Sequence, residues 1–177
     1  MLPAFVIHDA SHTERDDIVK DIVAKTDATQ FQAYVLSDGL RGNLFSHIGV
    51  AKLAKSLFPD QHYLVFEDDC ELLENWKDTI ADVSGYDVMY LGYNDRCKYA
   101  TFGTHALCIS PKARDLIIEK AGLVAKQVDR KNAFDHILSA ICRDEHLLVC
   151  MPKIELKETF CRQKKGLRST ITGEIRV

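Results

Sequence analysis

Tyr63-Leu64-Val65-Phe66-Glu67-Asp68-Asp69 is an apolar strand that runs directly into three consecutive carboxylates. Stability alone does not favour such an ending, because adjacent like charges repel and must stay hydrated or find a cation. In an open α/β sheet the carboxyl end of a strand is where ligands bind. Side chains two apart on a strand point the same way, so the spacing lets Glu67 and Asp69 share one ligand while Asp68 faces elsewhere. Hard oxygen ligands around one point suit Mg²⁺ or Mn²⁺, the more so when a diphosphate adds its own oxygens. A solvated acidic turn is the plain alternative.

On either side of this stretch, strand and helix patterns alternate. Ala4 to His8 reads as a buried strand, and Ser11-His12-Thr13-Glu14 has the form of a capping box before the helical stripe Ile18, Val19, Ile22 and Val23. Phe31 to Leu36 reads as a second strand closed by Ser37-Asp38-Gly39, and the apolar spacing from Leu44 to Phe58 as a helix stopped at Pro59. Downstream, the pattern predicts a helix around Leu72–Val83 and strands at Asp87–Leu91 and Thr104–Ile109. Ser110-Pro111 opens a helix to about Ala121, with Ser as cap and Pro at the first helical position. Asn132 caps a helix through Cys142, and Leu147–Met151 is a last strand. From Lys153 onward periodicity is lost, and Arg162, Lys164, Lys165 and Arg168 form a basic stretch.

The alternation implies a single α/β domain over residues 1–152, with a mostly parallel central sheet flanked by helices. The basic segment 153–177 follows it, irregular in expectation. At 177 residues, 46% hydrophobic and 28% charged, the chain fits one domain with a substantial core. A net charge of −3 argues against nucleic acid as the main partner. No GxGxxG follows the first strand and no GxxxxGK[ST] occurs, which disfavours a dinucleotide dehydrogenase and a P-loop NTPase. The six cysteines are scattered without a CxxC pair, Met1 to His8 lacks the features of a signal peptide, and no run approaches a membrane span. A cytoplasmic protein with reduced thiols is the expectation.

Gly42-Asn43-Leu44-Phe45-Ser46-His47, Glu67-Asp68-Asp69, Tyr90-Leu91-Gly92, Gly103-Thr104-His105-Ala106 and Phe134-Asp135-His136 follow one another in this order. Order and spacing resemble family 25 glycosyltransferases, a family that includes lipooligosaccharide galactosyltransferases and collagen galactosyltransferase domains. The resemblance runs from about Phe5 to Met151. It implies a GT-A fold that binds a UDP-sugar at the carboxyl edge of the sheet and transfers a hexose, galactose or glucose, to a glycan or a hydroxylated protein or lipid acceptor. Where the family's first strand commonly leads into an Asn, this chain has His8-Asp9. The C-terminal part is short, so the expectation is a small acceptor or a site completed by another domain or chain.

By this resemblance Glu67-Asp68-Asp69 takes the place of the fold's DxD acids. Asp69 is the expected direct ligand of Mn²⁺ or Mg²⁺, with Glu67 or Asp68 on the donor ribose or on a metal-bound water. Ser46 and His47 fall early in a helix, where a half-buried histidine held by a carbonyl is the bland reading and a donor contact the functional one. His105, at a loop-to-strand entry, and Arg15, early in the first helix, carry the same two readings. Asp135 has a complete structural account as a carboxylate in the first turn of a helix. A transfer that inverts the anomeric centre, however, needs a base for the acceptor hydroxyl's proton, and the resemblance puts the family's late acid there. The basic tail is either solvated or a lid over the diphosphate. Two other readings compete: a non-catalytic GT-A module that binds a glycan or partner, and a nucleotidyltransferase, which the absence of a Gly-rich, Lys/Arg-bearing loop after the first strand disfavours.

Overall fold

Buried β-branched and aromatic residues make the central strands. β1 (Ala4–His8) and β3 (Tyr63–Glu67) are buried along almost their whole lengths, the pattern expected of strands covered on both faces. The computed structural model describes residues 1–73, 83–93, 104–121, 123, 134–150 and 161–163. Besides β1 and β3, its strands are β2 (Thr29–Gln32), β4 (Cys70–Leu72), β5 (Val88–Tyr90), β6 (Gly92–Tyr93), β7 (Ala106–Ile109), β8 (Val149–Cys150) and β9 (Cys161–Gln163). Its helices are α1 (Asp16–Thr26), α2 (Gly39–Leu57), α3 (Pro111–Leu116), which runs on as a π-helical turn over Ile117–Ala121, and α4 (Phe134–Asp144).

The main sheet has the order β2-β1-β3-β7-β5-β8. β1 pairs in parallel with β2 and β3, and β5 with β8; β7 runs antiparallel to both its neighbours. A mixed α/β sheet, mostly parallel and flanked by helices, is the observed architecture. A second sheet, β4-β9-β6, lies beyond the acidic turn.

Strand alternation divides the core in two. Phe5, Ile7, Tyr63 and Val65 face α2, the α3 segment and α4, where Leu44, Ile48, Ile117 and Leu138 meet them. Val6, Leu64 and Phe66 face α1 through Ile18, Val19 and Ile22. Burying each such side chain contributes roughly 1.5–3 kcal/mol. The same alternation carries past Phe66: Glu67 continues the α2 face and Asp68 the α1 face.

Several local expectations are corrected. The second strand lies at Thr29–Gln32 rather than Phe31–Leu36. No capping box forms, because the Ser11 hydroxyl donates to Asp9 Oδ1 (2.8 Å) and α1 starts after a short 3₁₀ turn at Thr13–Arg15. Asp38 caps α2 instead, accepting from the N–H groups of Leu40 and Arg41. Leu72, where a helix to Val83 is expected to begin, belongs instead to a strand, β4; residues 74–82 lie outside the described residues, as does Asn132. The stretch expected to be irregular after Lys153 contributes β9, bound between β4 and β6. Ser110 caps α3 as expected, its hydroxyl accepting from the Ala113 N–H.

Candidate active site

The carboxyl ends of β1, β2 and β3 open onto a cavity of about 240 Å³. One wall is the chain after β1, with Asp9, Ser11, His12 and Arg15; the other is the 33–36 segment with the first turns of α2. Glu67, Asp68 and Asp69 line it as well. The α2 wall is set by close backbone approach. A Cβ on Gly42 would lie 2.4 Å from the Tyr34 carbonyl oxygen, closer than any side chain is accepted, so glycine is required there. Ser46 clamps this contact: its hydroxyl donates to the Gly42 carbonyl (2.7 Å) and accepts from the Tyr34 N–H (2.9 Å).

The three consecutive acids have three different surroundings. Asp68 is buried. Its Oδ1 is paired with the buried Arg15 guanidinium, and its Oδ2 accepts from His8 Nδ1 (3.1 Å) and the Asp9 N–H (3.2 Å). His8 Nε2 in turn lies 3.2 Å from Asp16 Oδ1. Both oxygens of Asp68 are thus occupied by protein.

Glu67 holds the other face. Its Oε1 accepts from Asn43 Nδ2 (3.0 Å), His47 Nε2 (3.1 Å) and Thr104 Oγ1 (3.1 Å). Burial by itself would raise the Glu67 carboxyl, but the His47 hydrogen bond and charge and the Asn43 amide outweigh it and hold it down to about 2. His47 is fixed from behind by stacking on Phe134, with ring centroids 4.0 Å apart and planes 12° from parallel.

Asp69 is 2% exposed at the cavity wall. It sits in the turn between β3 and β4 rather than on a continuing strand, so two-residue alternation does not by itself pair it with Glu67.

Asp135 stands in the first turn of α4. Its Oδ1 lies 3.1 Å from Thr104 Oγ1, the same hydroxyl that reaches Glu67. Burial raises the Asp135 carboxyl, and the Glu67 charge raises it further, against the Thr104 hydrogen bond that lowers it.

Of the expected site residues, the fold gathers Arg15, Ser46, Glu67, Asp68 and Asp69 around one cavity. His47 and Asp135 stand in the hydrogen-bond chain reached through Glu67 and Thr104. His105 is buried at the entry to β7, where its carbonyl accepts the Glu67 N–H (2.8 Å). Sequence reasoning missed Asn43 and Thr104 as partners of Glu67, although both stand inside the quoted segments. It also missed His8 as a partner of Asp68.

The donor set answers in part whether a divalent cation fits. Among the described residues no three His, Cys, Asp or Glu side chains form a group able to hold a metal by themselves. Mg²⁺-type ions are usually held by one or two carboxylates with substrate phosphates and water completing the shell. Asp69 at the cavity wall and Glu67, whose three protein bonds all go to Oε1, suit that arrangement.

The chain matches no family model, and no curated protein matches it. Among solved structures it is similar to a glycosyltransferase involved in the glycosylation of the major capsid of PBCV-1, at 8% identity and TM-score 0.63, covering 94% of this chain and 96% of that one. It is also similar to the inositol-1-phosphate CTP transferase from T. maritima, at 9% identity and TM-score 0.51 over 85% and 84% of the two chains. A third is a variant of Drosophila β1,4-galactosyltransferase 7 in complex with manganese, UDP-Gal and xylobiose, at 10% identity and TM-score 0.53; there 85% of this chain covers 64% of that one. At such identities the likeness is one of fold, and the fold is that of the GT-A glycosyltransferases.

Proposed function

We propose that the chain is a metal-dependent glycosyltransferase, similar to family 25, that moves a hexose from a UDP-sugar to a glycan or hydroxylated acceptor with inversion. One observation carries this reading. The cavity at the strand ends is lined by four carboxylates, Asp9, Glu67, Asp68 and Asp69, and the Arg15 guanidinium there is already paired with Asp68. A diphosphate enters such a wall only with a cation between.

Asp69, with Glu67 beside it, holds that Mn²⁺ or Mg²⁺. A cation on the diphosphate neutralises charge as the glycosidic bond breaks. The protein's own part is positional. Ser46 and Gly42 hold α2 against the 33–36 segment to shape the donor wall, and Arg15 braces Asp68. His47 and Asn43 hold Glu67 ionised and oriented. His105 supports the donor side from the entry to β7. Asp135 takes the acceptor hydroxyl's proton, and its raised pKa makes it a better proton acceptor than an ordinary aspartate. Reduced cysteines fit a cytoplasmic location; Cys108, Cys142 and Cys150 carry free thiols.

The likeness in fold to a CTP transferase favours one second reading, nucleotidyl transfer. The products separate the two, since glycosyl transfer releases a nucleoside diphosphate and nucleotidyl transfer releases pyrophosphate. Calorimetry with UDP in Mn²⁺ and again in EDTA tests the metal reading. The expected result is affinity lost in EDTA; equal affinity in both contradicts it.

A further inference from the structure

We propose that Thr104 is a positioning residue: its hydroxyl holds Oδ1 of Asp135 against Glu67, so that Oδ2 is the oxygen that takes the acceptor's proton. This deepens the glycosyl-transfer reading and rests on it.

Three observations meet at this hydroxyl. Thr104 is buried, 5% exposed, where the chain enters β7. Its Oγ1 lies 3.1 Å from Glu67 Oε1 and 3.1 Å from Asp135 Oδ1. A threonine hydroxyl has one hydrogen, so the two carboxylates share a single donor. Glu67 is served besides by Asn43 and His47, whereas among the described residues the side-chain hydrogen bond that reaches Asp135 from outside its own helix comes from Thr104. The Asp135 carboxyl accepts from its own backbone N–H, as an aspartate in the first turn of a helix does. The Thr104 hydroxyl, carried on a β-branched side chain with a stiff χ1, adds a tie from the base to the sheet.

The choice of a hydroxyl fits the chemistry. A lysine or arginine at this place would orient Asp135 equally well, but its charge would depress the carboxyl and weaken it as a base. A neutral donor orients at small cost in basicity. In the transfer the acceptor oxygen bonds to the anomeric carbon and its proton passes to Asp135 Oδ2. The bond from that carbon to the diphosphate oxygen breaks, and the electron pair leaves with the diphosphate.

Thr104→Val removes the hydroxyl at nearly constant shape, and Thr104→Ser keeps it. In steady-state transfer assays Thr104→Val should lose kcat by ~10- to 100-fold, the scale of a misplaced reacting group, with donor and acceptor KM within about twofold. Thr104→Ser should recover at least a third of kcat. A Thr104→Val enzyme with unreduced kcat overturns the proposal. So does a loss confined to KM, or a Thr104→Ser as poor as the valine. A second arm needs no turnover: carbon-13 NMR of the Asp135 carboxyl in metal-free protein. Glu67 from β3, His47 from α2 and Tyr90 from β5 also face Asp135, and both variants keep them. The titration midpoint should rise in Thr104→Val and stay in Thr104→Ser; an unmoved midpoint in the valine variant overturns the proposal. Absence of transfer by the unsubstituted protein from any sugar nucleotide would instead count against the glycosyl-transfer reading, with the NMR arm still deciding the role of Thr104.

Discussion

Glu67 and Asp68 are neighbours in sequence, yet they belong to opposite faces of the sheet and to two kinds of structure. Asp68 sits in a closed network. The Arg15 guanidinium, His8 and the Asp9 N–H occupy both its oxygens, and the network ends in Asp16 at the start of α1. Glu67 sits in an open one. Its three donors converge on Oε1, and one of them, Thr104, leads on to Asp135. A carboxylate with both oxygens engaged by protein, one of them by a buried guanidinium, stabilises the fold and has less left for a ligand. A carboxylate gripped by one oxygen is fixed in place and can still meet a cation. Three acids in a row are therefore not one site by virtue of adjacency; the alternation of the strand distributes them.

The largest effect that would break this contrast is on stability. Arg15→Ala leaves Asp68 buried without its charged partner, a change that costs about 3–5 kcal/mol in such pairs. For a chain of this size that lowers Tm by about 6–20 °C. An unchanged melting temperature would mean that the α1-face network is not a structural brace, and the comparison would fall.

A smaller effect sharpens the other side. The folded Glu67 carboxyl is held down to about 2, below its ordinary 4.5. A depressed carboxylate contributes stability that is fully present above its unfolded pKa and is lost as pH falls through the folded one. Denaturant unfolding in EDTA should therefore show stability declining between about pH 4.5 and pH 2, by on the order of 2 kcal/mol from this group. Glu67→Gln should flatten that limb. A limb as steep in Glu67→Gln as in the unsubstituted protein would place the acid-sensitive group elsewhere.

Much of this fold is legible where the signal is local. The apolar runs Ala4–His8 and Tyr63–Phe66 are strands, and Ser110-Pro111 starts a helix, because burial and capping are properties of the run itself. The second strand was less legible. Among the described residues Thr29–Gln32 is an edge strand paired with β1 alone, and its largely exposed side chains carry no apolar run to mark it. The apolar run just beyond it, Ala33-Tyr34-Val35-Leu36, draws the expectation toward Leu36. β4 and β9 are three residues each and exist through their pairing with one another across some 90 positions of sequence, which no local pattern encodes. The site divides in the same way. Carboxylates at a strand end announce themselves, but Asn43 and Thr104 are ordinary polar residues until strand register and the seating of α2 bring them to Glu67.

The central claim is that Asp135, at the open end of the Glu67 network, is the base of a glycosyl transfer. Asp135→Asn, assayed for transfer and for nucleotide affinity in the same preparation, tests it most directly. Transfer should fall by ~10²-fold or more, the scale of a lost general base, with nucleotide affinity within a few-fold of the unsubstituted protein. A stable Asp135→Asn protein with nearly full transfer activity would contradict it.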